Sequence, residues 1–236
     1  MRTTTIVLLL AALAAAGYQS PDTAEPNHDT PQQLASAELT HPELRAALLD
    51  LRERDQAARG AMVELMRATP PEPSGGFRFA DEDLPIIEAV GEIDVESTAF
   101  LKQTIADHGW PTFDMVGEDG AGAAWILAQH ADADPEFQAQ VLALMEPLVE
   151  AGQAHADDFA LLTDRVLRAR GEPQVYGTQF AWDVNGVQRP GPTIDWGTVD
   201  ERRAKVGLPT IAEYVEIMRA TYGGEVSAEP MSIDSD

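Results

Sequence analysis

The stretch that most constrains the fold runs from Ala121 to Ala128, read as Ala-Gly-Ala-Ala-Trp-Ile-Leu-Ala, and it carries no charge on any side. A helix that is hydrophobic all round is enclosed by other elements rather than laid on a surface. The stretch therefore predicts a central rod. It ends in a polar pair, Gln129 and His130.

Helices to surround the rod can be read on both sides of it. His41-Pro42 opens a long helix to about Ala68, with Leu44, Leu48, Leu51, Ala58, Met62 and Leu65 spaced by alternating fours and threes. The step missing from that stripe is position 55, which holds Asp55. A carboxylate on a buried seam needs a partner, because an unpaired buried charge costs several kcal/mol. Gln56 and Arg59 stand beside it.

Residues 69–97 are rich in proline, glycine and acids, and read as loop with a short helical turn around Leu84 to Val90. A helix capped by the hydroxyl of Ser97 or Thr98 is then expected to run to Gly109. Trp110-Pro111 turns the chain. After the rod, Asp134 caps a helix that opens with Pro135 and runs towards Glu150, kinked or shortened by Pro147. Another runs from about His155 to Arg170, with Asp164 and Arg165 beside its buried stripe.

Residues 174–194 read as a β-hairpin turning at Asn185-Gly186. Thr198-Val-Asp-Glu201 fits a capping box opening a short helix. Pro209 starts the last helix, which Gly223-Gly224 stops. The reading is mainly α: a single-domain bundle of about six helices around a buried central helix, with one small β-hairpin near the C-terminal third.

The ends of the chain are read by composition. Residues 1–17 have the charged start (Arg2), apolar run and small residues of a signal peptide. Residues 18–40 read as a disordered tether, 41–223 as the helical domain and 224–236 as a loose acidic tail. An extracytoplasmic protein, periplasmic or secreted, is expected. The apolar run is too short for a stable membrane span. With 40 acidic against 16 basic residues and a net charge of -24, the surface repels nucleic acid and anionic membrane. There is no cysteine, which excludes disulfides, thiolate metal sites and a cysteine nucleophile.

Several short strings stand out along the domain: Asp55-Gln56-x-x-Arg59, Gly109-Trp110-Pro111, Gln129-His130-Ala131, Asp164-Arg165, Gln174-x-Tyr176-Gly177-Thr178-Gln179, and Arg202-Arg203 followed by Gly207-Leu208-Pro209. In this order, over about residues 45–222, the chain resembles a bacterial family known only as domain of unknown function 6624. Its members are often secreted or lipoprotein-like. The Tyr-Gly-Thr-Gln string with the preceding Asp-Arg is the most specific part. The resemblance implies a fold boundary and export, not a reaction. Tyr18 stands where the lipid-bearing cysteine of lipoprotein-like members would be, and the acidic loop at 70–95 is unusually long.

Three functional readings follow from the polar residues. In the first, a pocket around His130 and the Tyr176 loop binds a small polar or anionic ligand, using Arg59, Trp110, Gln129, Arg165, Gln174, Tyr176, Thr178, Gln179 and Arg202. In the second, the same pocket is hydrolytic, with His130 as general base oriented by Asp55 or Asp164. In the third, the domain is structural or binds a protein partner, and these residues are internal braces. No cofactor is expected. No metal is expected either, since His130, Asp132 and Asp134 do not share one helical face and no His-x-x-x-His pair exists. No nucleophile elbow, phosphate loop or dinucleotide fingerprint is found.

Overall fold

A computed structural model of the chain describes residues 39–72 and 77–232. The expected signal peptide and nearly all of the tether lie outside these residues. Among the described residues the fold is mainly α, with seven α-helices and one two-stranded hairpin. No helix among them is long and apolar enough to cross a membrane.

Helix α1 (Pro42–Ala68) starts on a proline, which needs no N–H partner in the first turn. Its buried face runs through Leu48, Leu51, Asp55, Arg59, Met62 and Met66, so the polar step falls on the seam as expected. Helix α2 (Leu84–His108) corrects the expectation of a loop up to residue 97. Pro70 and Pro71 precede the helix, while Pro85 occupies its first turn, where a ring costs nothing. Ser97 is therefore no cap. It lies buried in mid-helix, with its hydroxyl donating to the Asp94 carbonyl at 3.3 Å.

Helix α3 (Phe113–Gln129) is the rod. It is broken once, at Gly117, whose φ of 75° an L side chain rarely adopts. Beyond that break the backbone of Gly120 lies so close to Val116 that an added Cβ would stand 2.8 Å from it. From Ala123 to Ala128 every residue is buried, and α3 packs against α1, α2, α4 and α5.

Helix α4 (Pro135–Glu150) is capped by Asp134, which accepts the Phe137 N–H at 3.0 Å. Pro147 lies inside it without ending it. Helix α5 (Ala156–Ala169) presents Ala160, Leu161, Leu162 and Val166 to the core.

The hairpin is shorter than the sequence suggests. Strand β1 (Phe180–Trp182) pairs antiparallel with β2 (Gln188–Pro190), Ala181 facing Arg189. Residues 174–179 form a loop instead, bridged once to Thr193. Helix α6 (Val199–Lys205) lacks the expected capping box, because the Thr198 hydroxyl donates to the Asp195 carbonyl. The box forms on α7 (Ile211–Tyr222), where Thr210 and Glu213 cap each other.

The chain after Gly224 is also a correction. The Glu225 carbonyl accepts the Gln188 N–H at 2.9 Å, the Ser227 N–H returns to the Gln188 carbonyl at 2.9 Å, and Met231 donates to Pro190 at 2.8 Å. Val226 is buried there. This segment packs along β2 rather than hanging loose.

The apolar residues form two cores. One surrounds α3. The other joins the C-terminal half of α1 to the hairpin and α7 through Met62, Phe180, Tyr214 and Tyr222.

Candidate functional site

The polar residues named from sequence separate into two groups. The first gathers where the rod ends. α3 stops at Gln129, and the ring of His130 meets the missing step of α1: its Nδ1 lies 3.0 Å from Asp55 Oδ1. Arg59 donates to the same oxygen through Nε at 2.9 Å, and Gln56 donates to the other at 2.8 Å. Arg59 also reaches Asp94 of α2 through Nη2. Beside His130, Gln129 accepts from Arg165 Nε at 2.6 Å, and Arg165 Nη1 donates to Asp132 at 2.7 Å. Gln138 of α4 donates to the last carbonyls of the rod, Ala128 at 3.3 Å and Gln129 at 3.0 Å.

Burial sets the charge states. It drives His130 down to about 4, aided by the charges of Arg59 and Arg165 and opposed by Asp55. The ring is therefore neutral at pH 7. Burial also pushes Asp55 up, but the His130 hydrogen bond and charge, with Arg59 and Gln56, outweigh it and hold the carboxylate near 2. An ionised carboxylate only accepts, so Nδ1 carries the imidazole proton and Nε2 is left as an acceptor. That nitrogen is fully buried and has no hydrogen-bond partner among the described residues.

Asp94 stands at the edge of this cluster, a quarter exposed, and burial raises it to about 6 against the pull of Arg59. Asp132 is the other acid at the edge, 38% exposed. The buried Tyr222 hydroxyl also lacks a partner among the described residues, and burial with the neighbouring Tyr214 raises it well above the ordinary range against the charges of Arg165 and Arg59.

The second group is built on Asp164. Its carboxylate accepts the N–H groups of Val175 at 2.7 Å, Tyr176 at 3.0 Å and Thr178 at 2.9 Å, with the Thr178 hydroxyl at 3.0 Å. Burial pushes this carboxyl up while those donors pull it down. Gln174 closes the loop on itself, accepting the Gln179 N–H at 2.7 Å and donating to its carbonyl at 2.9 Å. Gln179 donates in turn to the Thr178 hydroxyl.

Arg202 donates to the carbonyls of Val175 and Ile194, and Arg203 to that of Tyr176. Gly177 takes φ 65°, with the Trp196 ring 2.9 Å from where a Cβ would sit. These side chains hold the loop's own backbone.

The expected single pocket is thus not what the side chains form. Asp55, Arg59, Gln129, His130 and Arg165 come together, whereas Asp164, Gln174, Tyr176, Thr178, Gln179 and Arg202 brace the loop. The groups adjoin through the successive residues Asp164 and Arg165. Trp110 joins neither and is packed in the apolar core around α3.

Sequence reasoning missed Asp94, Gln138 and Tyr222, and met Asp132 only as a possible metal ligand. The signal for Asp94 lay in a stripe crossed by polar residues. Among the described residues no group of three or more His, Asp or Glu side chains is placed to hold a metal ion.

A family of unknown function, DUF6624, matches residues 42–227. The chain belongs to this family. The matched span of the DUF6624 domain opens on the first residue of α1 and closes within the segment paired with β2. It therefore contains both polar groups entire. No curated protein and no solved structure matches the chain.

Proposed function

We propose that this DUF6624 domain is exported and binds a small polar ligand at the Asp55–His130 cluster. The observation that carries the reading is the lone pair on His130 Nε2. A buried polar atom without a partner costs about 1–3 kcal/mol, and folded proteins leave few such atoms unexplained. Here the orphan is held in place at a cost, since Asp55 fixes both the tautomer and the ring. Arg59 and Arg165 flank it with further donors. The Tyr176 loop serves the site indirectly, by fixing α5 at Asp164 next to Arg165.

A hydrolytic enzyme is the second reading. What favours it is the same pair: a carboxylate on Nδ1 and a neutral ring with Nε2 free is the arrangement a general base needs. No hydroxyl is bonded to Nε2 among the described residues, so any nucleophile is water or substrate. A structural or partner-binding role without any ligand leaves the orphan unexplained.

The decisive experiment is a high-resolution crystal structure after soaking in a broad mixture of metabolites. The expected result is a bound molecule hydrogen-bonded to Nε2 of His130. A protein group bonded to that nitrogen in the crystal overturns the reading.

A further inference from the structure

The outward face of α2 carries a feature that the buried clusters leave unused. An open concavity of about 470 Å³ lies on it, lined by Glu88, Gly91, Glu92, Val95 and Glu96. These residues follow one another by threes and fours along a single helical stripe, offset from the buried stripe of Val90, Ile93 and Ser97. Pockets for small molecules enclose most of their ligand. A hollow lined by one helix alone suits the surface of a larger partner.

Two of its residues have no reason inside the fold. Val95 is 71% exposed. Gly91 stands within the helix, where glycine is poorer than alanine. No neighbour requires a glycine there, since nothing lies within 4 Å of where a Cβ would stand. The missing side chain leaves a notch on the stripe that carries the exposed valine, and such a notch lets a second helix approach the backbone closely.

Charge selects what covers it. Glu88, Glu92 and Glu96 recur every four residues, about 6 Å apart along the axis. Glu96 is taken by Arg54 of α1, while Glu88 and Glu92 form no ion pair among the described residues. A second copy of this chain, at net charge -24, brings like charge to that face. The chain's own remaining segment is no better matched: residues 18–38 hold Asp22, Glu25, Asp29 and Glu38 and no lysine or arginine. A basic helix matches both features, because its lysines or arginines repeat at the spacing of the glutamates.

We propose that this face of α2 docks a basic amphipathic helix of another protein. An apolar side chain of that helix sits against Gly91 and Val95, and its cationic side chains pair with Glu88 and Glu92. The surface is separate from the Asp55–His130 cluster and does not depend on the ligand-binding reading.

The test is calorimetry of the purified protein at about 0.15 M salt, where distant charges are screened. The probe is a helical peptide of leucine and lysine, about 14 residues long, with its leucines on one face. The expected Kd is about 100 μM or tighter. Glu88→Gln combined with Glu92→Gln weakens binding about tenfold or more. Gly91→Met fills the notch without changing the charge, suits a helix better than glycine, and weakens binding by about as much. The control is Glu146→Gln with Glu150→Gln, an exposed pair at the same spacing on α4, which changes Kd by less than about twofold.

An equal loss in the control pair makes the attraction general acidity and overturns the proposal. So does equal binding of a peptide with serine in place of leucine, which removes the apolar contact. Unchanged binding by Gly91→Met places the peptide elsewhere. A dimer in sedimentation that Gly91→Met abolishes makes the occupant a second copy. No binding up to about 1 mM peptide also overturns it.

Discussion

Asp55 and His130 lie 75 residues apart in sequence and meet through one hydrogen bond of 3.0 Å, between the middle of α1 and the end of α3. The bond has an asymmetric consequence. Asp55 is satisfied on both oxygens, whereas His130 is satisfied on one nitrogen and orphaned on the other. The two residues should therefore answer differently to substitution.

Asp55→Ala leaves Arg59 buried with one carboxylate fewer, and it should cost about 3–5 kcal/mol, the usual loss when one partner of a buried pair is removed. His130→Asn keeps an N–H that can face Asp55 while its amide oxygen takes the place of the orphan acceptor, so stability should change by less than about 1 kcal/mol. Urea unfolding of both variants checks the difference. Comparable losses of several kcal/mol would make His130 a brace rather than a ligand contact.

The pH dependence follows from the same ring. His130 is held at about 4 in the folded chain against 6.5 ordinarily, so the unfolded chain binds more protons between those values. Its contribution is fully present above pH 6.5 and is lost as pH falls towards 4. Asp94, raised to about 6, acts in the opposite sense and favours the folded state as pH falls through 6. Asp94→Asn should therefore steepen the loss of stability between pH 6 and 4, and His130→Asn should flatten it. Denaturant midpoints at pH 7, 5.5 and 4.5 decide the matter.

Asp164 is expected to behave as a brace. Asp164→Ala strands the N–H groups of Val175, Tyr176 and Thr178. At about 1–3 kcal/mol for each buried group left unmade, the loss should exceed about 3 kcal/mol. Hydrogen exchange should quicken at those three amides before it does so in α3. Unchanged protection there would mean that the loop is held by something else.

The two Thr-x-x-Glu strings give a sharper comparison. Thr210→Ala should cost about 1 kcal/mol, the ordinary value of an N-cap. Thr198→Ala, which removes no helix cap, should cost less than about 0.5 kcal/mol. Thermal unfolding of the pair measures it.

The same comparison shows where the sequence could be read and where it could not. Both strings carry the capping pattern, and backbone shape separates them. Thr210 is extended at ψ 158°, while Thr198 sits at ψ 12°, a difference set by the turn before each helix. The seam of α1 was legible because its apolar rhythm is regular enough to make Asp55 visible as a gap. The rod was legible from its all-round apolarity.

Helix α2 was not. Its buried stripe runs Val90, Ile93, Ser97, Leu101, Thr104, so two of five steps are hydroxyls, and the acids and prolines before it imitate a loop. Asp94 was hidden with it. Of the site, Asp55, Arg59, His130 and Arg165 could be named because each is a polar residue on an otherwise greasy surface. Tyr222 could not, since an aromatic at the end of an amphipathic helix reads as core, and only the fold buries its hydroxyl without a partner among the described residues.

The segment after Gly224 that lies along β2 sets a practical limit on how short the gene product can be made. Ending the protein at Gly224, the natural choice from composition, strips the Gln188 N–H and carbonyl of their mates and uncovers the buried side of Val226's site. A bare strand margin of this kind recruits neighbouring molecules. Expression of the truncated form should yield aggregates where the version retaining Met231 stays dispersed.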